Sequence, residues 1–186
     1  MEQTNLTNQF LIAMPALADP NFVHSVTYIC EHNEDGALGI VVNRKTDVHL
    51  ADLFRSMDLE DTDPEIAAQP VFSGGPVHPE QGFVLHQPAG DWASTLRVSD
   101  EISVTTSHDI IEAIAHGKGP ERYFVALGYA GWGGGQLEEE LAANAWLSGP
   151  VDSRIIFETP VEQRWEAAAT LLGVDLSLLS NDIGHA

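Results

Sequence analysis

The fold is decided by residues 23–42, which read VHSVTYICEHNEDGALGIVV. Two runs rich in β-branched and apolar residues, 23–31 and 38–42, flank the polar, glycine-containing segment HNEDG at 32–36. Such runs, separated by residues that favour turns, are typical of a β-hairpin. We therefore expect an antiparallel pair of strands here, on which the rest of a sheet is built.

Apolar runs and helical spacing on both sides of this hairpin predict the remaining elements. The predicted strands are 10–14, 71–72, 83–86, 102–105, 123–127 and 155–157. The predicted helices are 50–57, 106–117, 137–145 and 159–173, the last opening with Thr159, Pro160 and Glu162 as a capping box. Strands and helices interleave without strict alternation. We expect one mixed α/β domain over residues 1–186, with a barrel-like, largely antiparallel sheet and packed helices.

The charge balance disfavours two classes of partner. Lysines and arginines number 8 against 28 aspartates and glutamates, which gives a formal net charge of −20 at pH 7. Neutralising phosphates requires clustered cations, and only Arg44 and Lys45 are adjacent in the chain. We therefore expect no direct nucleic-acid partner, and the same repulsion disfavours anionic membranes.

One stretch resembles a secretory signal. Residues 10–18 are apolar and end in the small-residue pattern ALA, but Pro15 interrupts them and the first basic residue is Arg44. No apolar run approaches the roughly 20 residues of a membrane-spanning helix. A single cysteine, Cys30, excludes an internal disulfide. The sequence predicts a cytoplasmic protein that does not bind membranes.

The segment richest in binding chemistry is 128–140, GYAGWGGGQLEEE, between a predicted strand and a predicted helix. Backbone amides at such a junction can collect an anion. However, Gln136 replaces the third glycine of a dinucleotide site, and glutamates 138–140 would repel a phosphate. We expect no cofactor, and either close packing around the glycines or a loop that binds a neutral ligand or a protein. The candidate binding residues are Gly128, Tyr129, Gly131, Trp132, Gln136 and Glu138.

A second glycine turn lies at 72–78, FSGGPVH. Ser73 lacks the flanking glycine spacing of a serine-hydrolase nucleophile, so this turn does not predict that chemistry. A tight backbone bend between two strands is the favoured interpretation. Gly74, Gly75 and Pro76 are candidate surface positions within it.

Cys30 and His32 form the one nucleophile pair that the sequence offers. On a regular strand they would share a face with Cα atoms about 7 Å apart, so the imidazole could activate the thiol. The alternative is an inert, buried cysteine. The histidine pairs spaced eight residues apart are too far apart to share one metal ion, and zinc-type motifs are absent from the sequence. We expect no metal site.

Segments of a known bacterial family run through almost the whole chain. They are FLIAMP at 10–15, DPNF at 19–22, SVTYICEHN at 25–33, GALG at 36–39, VN at 42–43, SGGPV at 73–77, FVLH at 83–86, GYAGW at 128–132, GQLE at 135–138, NAW at 144–146 and GHA at 184–186. On these motifs the chain resembles the AlgH/YqgE family.

The resemblance implies a compact α/β fold with a barrel-like mixed sheet and packed helices. It brings no catalytic residues, because none are assigned in that family. One branch carries the label of a transcriptional regulator linked to alginate production, without a recognised DNA-binding motif. The family's recurrent polar and glycine positions are candidate surface sites, namely His32, Asn43, Gly74 to Pro76, His86 and the stretch from Gly128 to Glu138.

Three functions compete on this evidence. A non-enzymatic regulatory or adaptor protein that binds a small molecule or a protein agrees best with the incomplete catalytic sets. A small-metabolite enzyme would require Cys30, His32, His86 and Glu138 to converge on one cleft. A transcriptional regulator acting on DNA is disfavoured by the charge and by the missing helix-turn-helix signature.

Overall fold

A computed structural model of the chain describes residues 5–176 and 178, and it confirms the predicted α/β class. Its strands are β1 (Gln9–Ala13), β2 (Val26–Asn33), β3 (Gly36–Val41), β4 (Lys45–His49), β5 (Pro70–Ser73), β6 (Val77–Gln87), β7 (Thr95–Arg97), β8 (Ser103–Thr105), β9 (Arg122–Gly133) and β10 (Trp146–Pro150). Its α-helices are α1 (Leu50–Ser56), α2 (Pro64–Ala67), α3 (His108–Ala115), α4 (Gln136–Ala142), α5 (Ser153–Phe157) and α6 (Arg164–Leu171), the last preceded by a 3₁₀ turn at Val161–Gln163.

The strands form one curled sheet that resembles half of a barrel. Its main path runs β10-β1-β2-β3-β9-β6-β8-β7, and every neighbouring pair on this path is antiparallel. Off the path, β4 pairs with β5, and β5 runs parallel to β9. The sheet is therefore mixed and largely antiparallel, as predicted.

Three apolar clusters hold the helices to this sheet. The largest joins the sheet to α5 and α6 and contains Phe10, Tyr28 and Phe124. The second packs α1 and α3 against β6 and β9. The third packs α4 and the segment before β1 against the β1, β2 and β9 region, and contains Leu6 and Trp132. β9 contributes to all three, so it is the strand around which the molecule is organised.

The decisive hairpin is confirmed, since β2 and β3 pair antiparallel around a turn at Glu34 and Asp35. The predicted strand at 155–157 is wrong, because these residues end helix α5. Asp152 caps that helix by accepting a hydrogen bond from the Arg154 N–H at 3.0 Å. A run of three apolar residues is too short to show whether its period is that of a strand or that of a helix.

The other helix predictions hold with shifted ends. Helix α3 begins after Ser107 rather than Thr106, and Gly117 with φ 74° follows its end. The predicted helix at 159–173 starts as a 3₁₀ turn and becomes α-helical at Arg164, and Gly173 with φ 72° follows it. A proline fixes φ but does not select between these two helix types. The predicted capping box is wrong, because the Thr159 hydroxyl donates to the Arg154 carbonyl oxygen at 3.2 Å and no side chain among the described residues caps the turn.

The glycine-rich segment after residue 127 extends strand β9 instead of forming a loop. Gly131 pairs with Leu38 of β3, and Tyr129 pairs with Val77 of β6. The apolar stretch that resembles a signal peptide contains β1, which lies between β10 and β2. None of the helices described is both long and apolar enough to cross a membrane. The GHA motif at 184–186 lies outside the described residues.

Candidate functional site

A β-bulge in β2 separates Cys30 from His32. The register with β3 jumps between Ile29 and Glu31, so Cys30 is the extra residue on the bulged strand. Cys30 packs into the largest core cluster, whereas His32 contacts Leu6 on the opposite face of the sheet. The prediction that Cys30 and His32 share a face is wrong, because the bulge reverses the side-chain alternation.

Cys30 has the environment of an inert core residue. It is 2% exposed, and its Sγ lies 3.9 Å from the carbonyl oxygen of Tyr28. Burial raises the pKa of the Cys30 thiol far above its ordinary value, and the carboxylate of Glu31 raises it further. A nucleophilic cysteine needs the opposite shift and access to solvent.

Both ring nitrogens of His32 are engaged in structural hydrogen bonds. Nδ1 accepts from the Leu6 backbone N–H at 3.0 Å, which places the ring proton on Nε2 because an amide can only donate. Nε2 then donates to Oε1 of Glu138, and this bond lowers the pKa of the Glu138 carboxyl group. His32 thereby ties the segment before β1 and helix α4 to strand β2.

Helix α4 is also fixed through its other polar residues. Trp132 and Trp146 each donate their indole N–H to Oε1 of Glu140, at 3.2 and 3.0 Å. Gln136 accepts from the Gly133 backbone N–H at 2.9 Å. Trp132 is 6% exposed, so its ring contributes to packing and is not available as a recognition surface.

The turn at Gly74 and Gly75 lies against the backbone of β9, and the predicted tight bend between strands is confirmed. Gly75 has φ 151°, and a Cβ added to it would lie 2.2 Å from the carbonyl group of Tyr129. A Cβ on Gly74 would lie 2.3 Å from the Gly128 carbonyl oxygen. These glycines allow two backbones to approach closely. Pro76, the next residue, is exposed.

Asn43 and Arg164 close the end of β3. Asn43 accepts from the Val26 backbone N–H and donates to the His24 carbonyl, both at 2.9 Å. Arg164 is 6% exposed, donates to the Val42 carbonyl at 2.6 Å, and lies over two core phenylalanine rings. Burial lowers the pKa of Arg164 to about 10. The apolar pattern of the last helix did not single out this arginine.

His86 lies on β6 within a separate buried network. Its Nδ1 lies 2.8 Å from the Pro88 carbonyl oxygen, and its Nε2 lies 2.7 Å from Oγ1 of Thr105. Because a carbonyl only accepts, Nδ1 carries the proton of the neutral ring and Nε2 accepts from the Thr105 hydroxyl. Burial lowers the pKa of His86, which favours this neutral form.

The four side chains considered for catalysis therefore do not line one cleft. His32 and Glu138 meet, whereas Cys30 lies on the other face of β2 and His86 bonds to Thr105. A catalytic set must bring its members within hydrogen-bond reach of a common point. This arrangement instead stabilises three separate parts of the fold.

Tyr129 and Trp132 of the glycine-rich segment both line an open groove, and Tyr129 is the more exposed of the two. The groove, of about 430 Å³, crosses β2, β3 and β9 on the side of the sheet that carries Glu31. We call it the Tyr129 groove; its lining includes Glu31, Asp35, Leu38, Val77, Tyr129 and Gly131. The Tyr129 ring is held edge-on to Phe83 at 5.6 Å and stacked with His78 at 6.0 Å.

Comparisons with known proteins agree with the motifs. A UPF0301 protein of Thioalkalivibrio sulfidiphilus is 61% identical over 183 residues, which cover 98% of each chain. A UPF0301 protein of Nitrosococcus oceani is 58% identical over 179 residues, with 96% of each chain covered.

Solved structures show the same fold. The solution structure of the AlgH protein from Pseudomonas aeruginosa is 47% identical, has a TM-score of 0.81 and covers 97% of both chains. A crystal structure of a Corynebacterium diphtheriae protein, 20% identical with a TM-score of 0.75 and covering 97% of this chain, supports the fold alone. The AlgH-like family model matches residues 10–177. The chain therefore belongs to the AlgH-like family.

Proposed function

We propose that this protein is a non-enzymatic regulatory or adaptor protein whose Tyr129 groove binds a cationic segment of a protein partner. One observation carries the proposal: an aromatic ring and two carboxylates, which have no cationic partner among the described residues, line the same open groove. Elsewhere in the glycine-rich segment, the side chains of Trp132, Gln136, Glu138 and Glu140 form hydrogen bonds within the protein.

The carboxylates favour a positively charged partner. Glu31 and Asp35 are both exposed, and neither forms an ion pair within residues 5–176 and 178. The whole chain carries a net charge of −20, which accelerates encounters with cations and repels anions. A basic segment of a protein therefore complements both the groove and the field around it.

The shape and chemistry of the groove favour arginine over lysine in that segment. The Tyr129 ring offers a flat π surface, on which a planar guanidinium group stacks better than a compact ammonium group. Leu38 and Val77 provide apolar contact for the aliphatic part of the side chain or for an adjacent apolar residue. Glu31 can then accept hydrogen bonds from the guanidinium group.

The non-enzymatic part of the proposal rests on how the reactive side chains are used. A general base needs a free lone pair directed at substrate, and both nitrogens of His32 and of His86 are already bonded within the protein. Burial also keeps the Cys30 thiol protonated. These side chains support structure rather than chemistry.

A peptide-binding experiment tests the proposal. The intact protein is titrated with a fluorescent nonapeptide that alternates arginine and leucine, and with a counterpart in which glutamate replaces arginine. We expect saturable binding of the arginine peptide alone. Tyr129→Ala should weaken it at least about tenfold, whereas Tyr129→Phe, which keeps the ring, should bind like the unchanged protein.

Two double variants, each lacking two carboxylates, distinguish binding in the groove from attraction to the overall negative charge. The double variant Glu31→Gln with Asp35→Asn should weaken binding and reduce its salt dependence. The double variant Asp100→Asn with Glu101→Gln removes two exposed carboxylates elsewhere and should leave the affinity close to that of the unchanged protein. Equal weakening by both pairs, or unchanged binding in Tyr129→Ala, would show that the groove is not the site.

A further inference from the structure

A second cavity, of about 290 Å³, lies between helices α1 and α3 and strands β6 and β9. Leu53, Val84, Ile111, Val125 and Leu127 form its apolar part, and polar residues of β6, β8 and the start of α3 line the rest. Protein interiors are close-packed and leave few voids larger than a water molecule. An apolar cavity of roughly 150 Å³ is known to bind benzene, so this one has room for an aromatic ring with a short side chain.

Gly82 keeps this cavity open. It pairs with Leu127, whereas the next residue along β6 pairs with Ala126 and faces the largest core cluster. Gly82 therefore faces the helices together with Val84, and a Cβ added to it would meet nothing within 4 Å. Glycine inside a strand often marks a bulge or a close approach by a ligand. The register of β6 with β9 shifts between Val77 and Gly82, so Gly82 lies where this irregularity ends and open space begins.

One wall of the cavity carries a buried polar group. Thr105 pairs with Val84 across β6 and β8, lines the cavity and is fully buried. Its hydroxyl donates to His86 Nε2, and its oxygen lies 2.7 Å from Oγ1 of Thr95. The polar atoms of this wall are therefore bonded to one another within the protein.

The charges around the cavity favour a cation. Exposed Glu80 lies in the lining, which contains no lysine or arginine among the residues that the structure describes. Its carboxylate lies 3.7 Å from Nδ1 of exposed His78, outside the lining, so a bound ammonium group would share Glu80 with this ring. The carboxylate of Asp109, in the first turn of α3, would repel an anion at that helix end. The one further titratable lining group is His108.

We propose that this cavity binds a small primary amine with an apolar body of about one aromatic ring. The ring occupies the space above Gly82, between Leu53 and Ile111, and the ammonium group pairs with Glu80. The site is separate from the Tyr129 groove and does not depend on the function proposed for it.

A titration with phenethylamine tests this assignment, with phenylacetate as the anionic analogue. Backbone amide NMR spectra of the full chain are recorded at about pH 8, above the ordinary titration range of imidazole. We expect saturable shifts centred on Val84, Ile111 and Leu127, with a dissociation constant below about 1 mM. Phenylacetate should bind at least about tenfold more weakly, because its charge is repelled.

A matched pair at one position separates cavity binding from surface binding. Gly82→Leu should weaken phenethylamine binding at least about tenfold by filling the cavity, and Gly82→Ala should leave most of the affinity. Glu80→Gln should weaken it by about threefold, typical of one exposed ion pair. Tyr129→Ala should bind phenethylamine like the unchanged protein.

Leu53→Phe fills the cavity from helix α1 and replaces Gly82→Leu if that variant does not fold. The assignment is overturned if the unchanged protein gives no saturable shifts, if the filled variant binds phenethylamine unchanged, or if phenylacetate binds as tightly. Loss of peptide binding in the Tyr129 groove, with phenethylamine binding intact, would reject only the function proposed above.

Discussion

The region around helix α4 and the region around helices α1 and α3 pack on different parts of β9. The first is filled by polar side chains that bond to one another, whereas the second leaves open space. Around α4, His32 and two tryptophans direct their polar atoms to glutamates of the helix, and the region is closed. Beneath α1 and α3, ordinary leucines, valines and isoleucines enclose a cavity above Gly82. The region around α4 is thus the more completely bonded, and the region around Gly82, which the sequence did not single out as a site, has space for a ligand.

The difference between these two regions shows what a sequence motif indicates about a binding site. The segment GYAGWGGGQLEEE contains the residues that a binding site would need, yet most of its polar atoms bond within the protein. Tyr129 is the exception, because its position on β9 turns it toward the open groove. A chemically rich segment therefore indicates either recognition or demanding packing, and contacts decide between them.

The sharpest test of this contrast compares two glycines. Gly75→Ala should lower the free energy of unfolding by about 3 kcal/mol or more, because the added Cβ meets the Tyr129 backbone at 2.2 Å and φ is 151°. Gly82→Ala should change it by less than about 0.5 kcal/mol, because its Cβ enters open space. Urea unfolding of both variants gives the measurement. Equal losses would mean that the space above Gly82 does not exist in solution.

A smaller effect is expected at Glu140, which accepts both indole N–H groups. Glu140→Ala should destabilise the protein by about 2–3 kcal/mol, since two largely buried donors lose their acceptor. Glu140→Gln keeps an acceptor oxygen and should cost less than half as much. Chemical denaturation monitored by tryptophan fluorescence measures both. A similar cost for the two substitutions would assign the effect to charge instead of hydrogen bonding.

The smallest expected effect is the loss of the stabilising contribution of Glu138 at acidic pH. Its hydrogen bond from His32 lowers its pKa in the folded protein, so its stabilising contribution is present above its ordinary pKa and is lost as the pH falls through the lowered value. The side chain is 45% exposed, so screening limits this contribution to about 0.5 kcal/mol. Glu138→Gln should remove it.

The difference in unfolding free energy between the unchanged protein and Glu138→Gln, followed from pH 6 to pH 3, isolates this group from the other carboxylates. The difference should shrink as the pH falls. A difference that grows with acidity would contradict the direction assigned to the His32–Glu138 bond.

The fold was largely predictable because long, alternating or periodic segments carry its pattern. The hairpin, α1, α3 and most of the sheet follow from such segments. The run at 155–157 was too short to define a period, and its helical state depends on the Asp152 cap and on burial against the sheet. Extension of β9 through its glycines depends on pairing with distant strands, which local propensity does not encode.

The candidate site was predicted less well, for physical reasons that individual residues illustrate. Cys30 and His32 are two residues apart, which on a regular strand would place them on the same face. The one-residue bulge between them places them on opposite faces. The glycine-rich segment left both close packing and recognition open for Trp132, and the structure shows its ring packed in the third core cluster with Leu137 of α4. Nothing local marks Arg164 as buried, since its partners are carbonyls more than a hundred residues away and nearby Thr159.

The two roles that most need separating are the structural one of the His32–Glu138 pair and the contact that Tyr129 makes with the partner. The most direct test measures the dissociation constant of the arginine–leucine nonapeptide for Glu138→Gln and for Tyr129→Ala, each at a pH where the variant is fully folded. We predict that Glu138→Gln binds within about twofold of the unchanged protein and that Tyr129→Ala binds at least about tenfold more weakly. Unchanged binding by Tyr129→Ala together with a loss in Glu138→Gln would contradict the account.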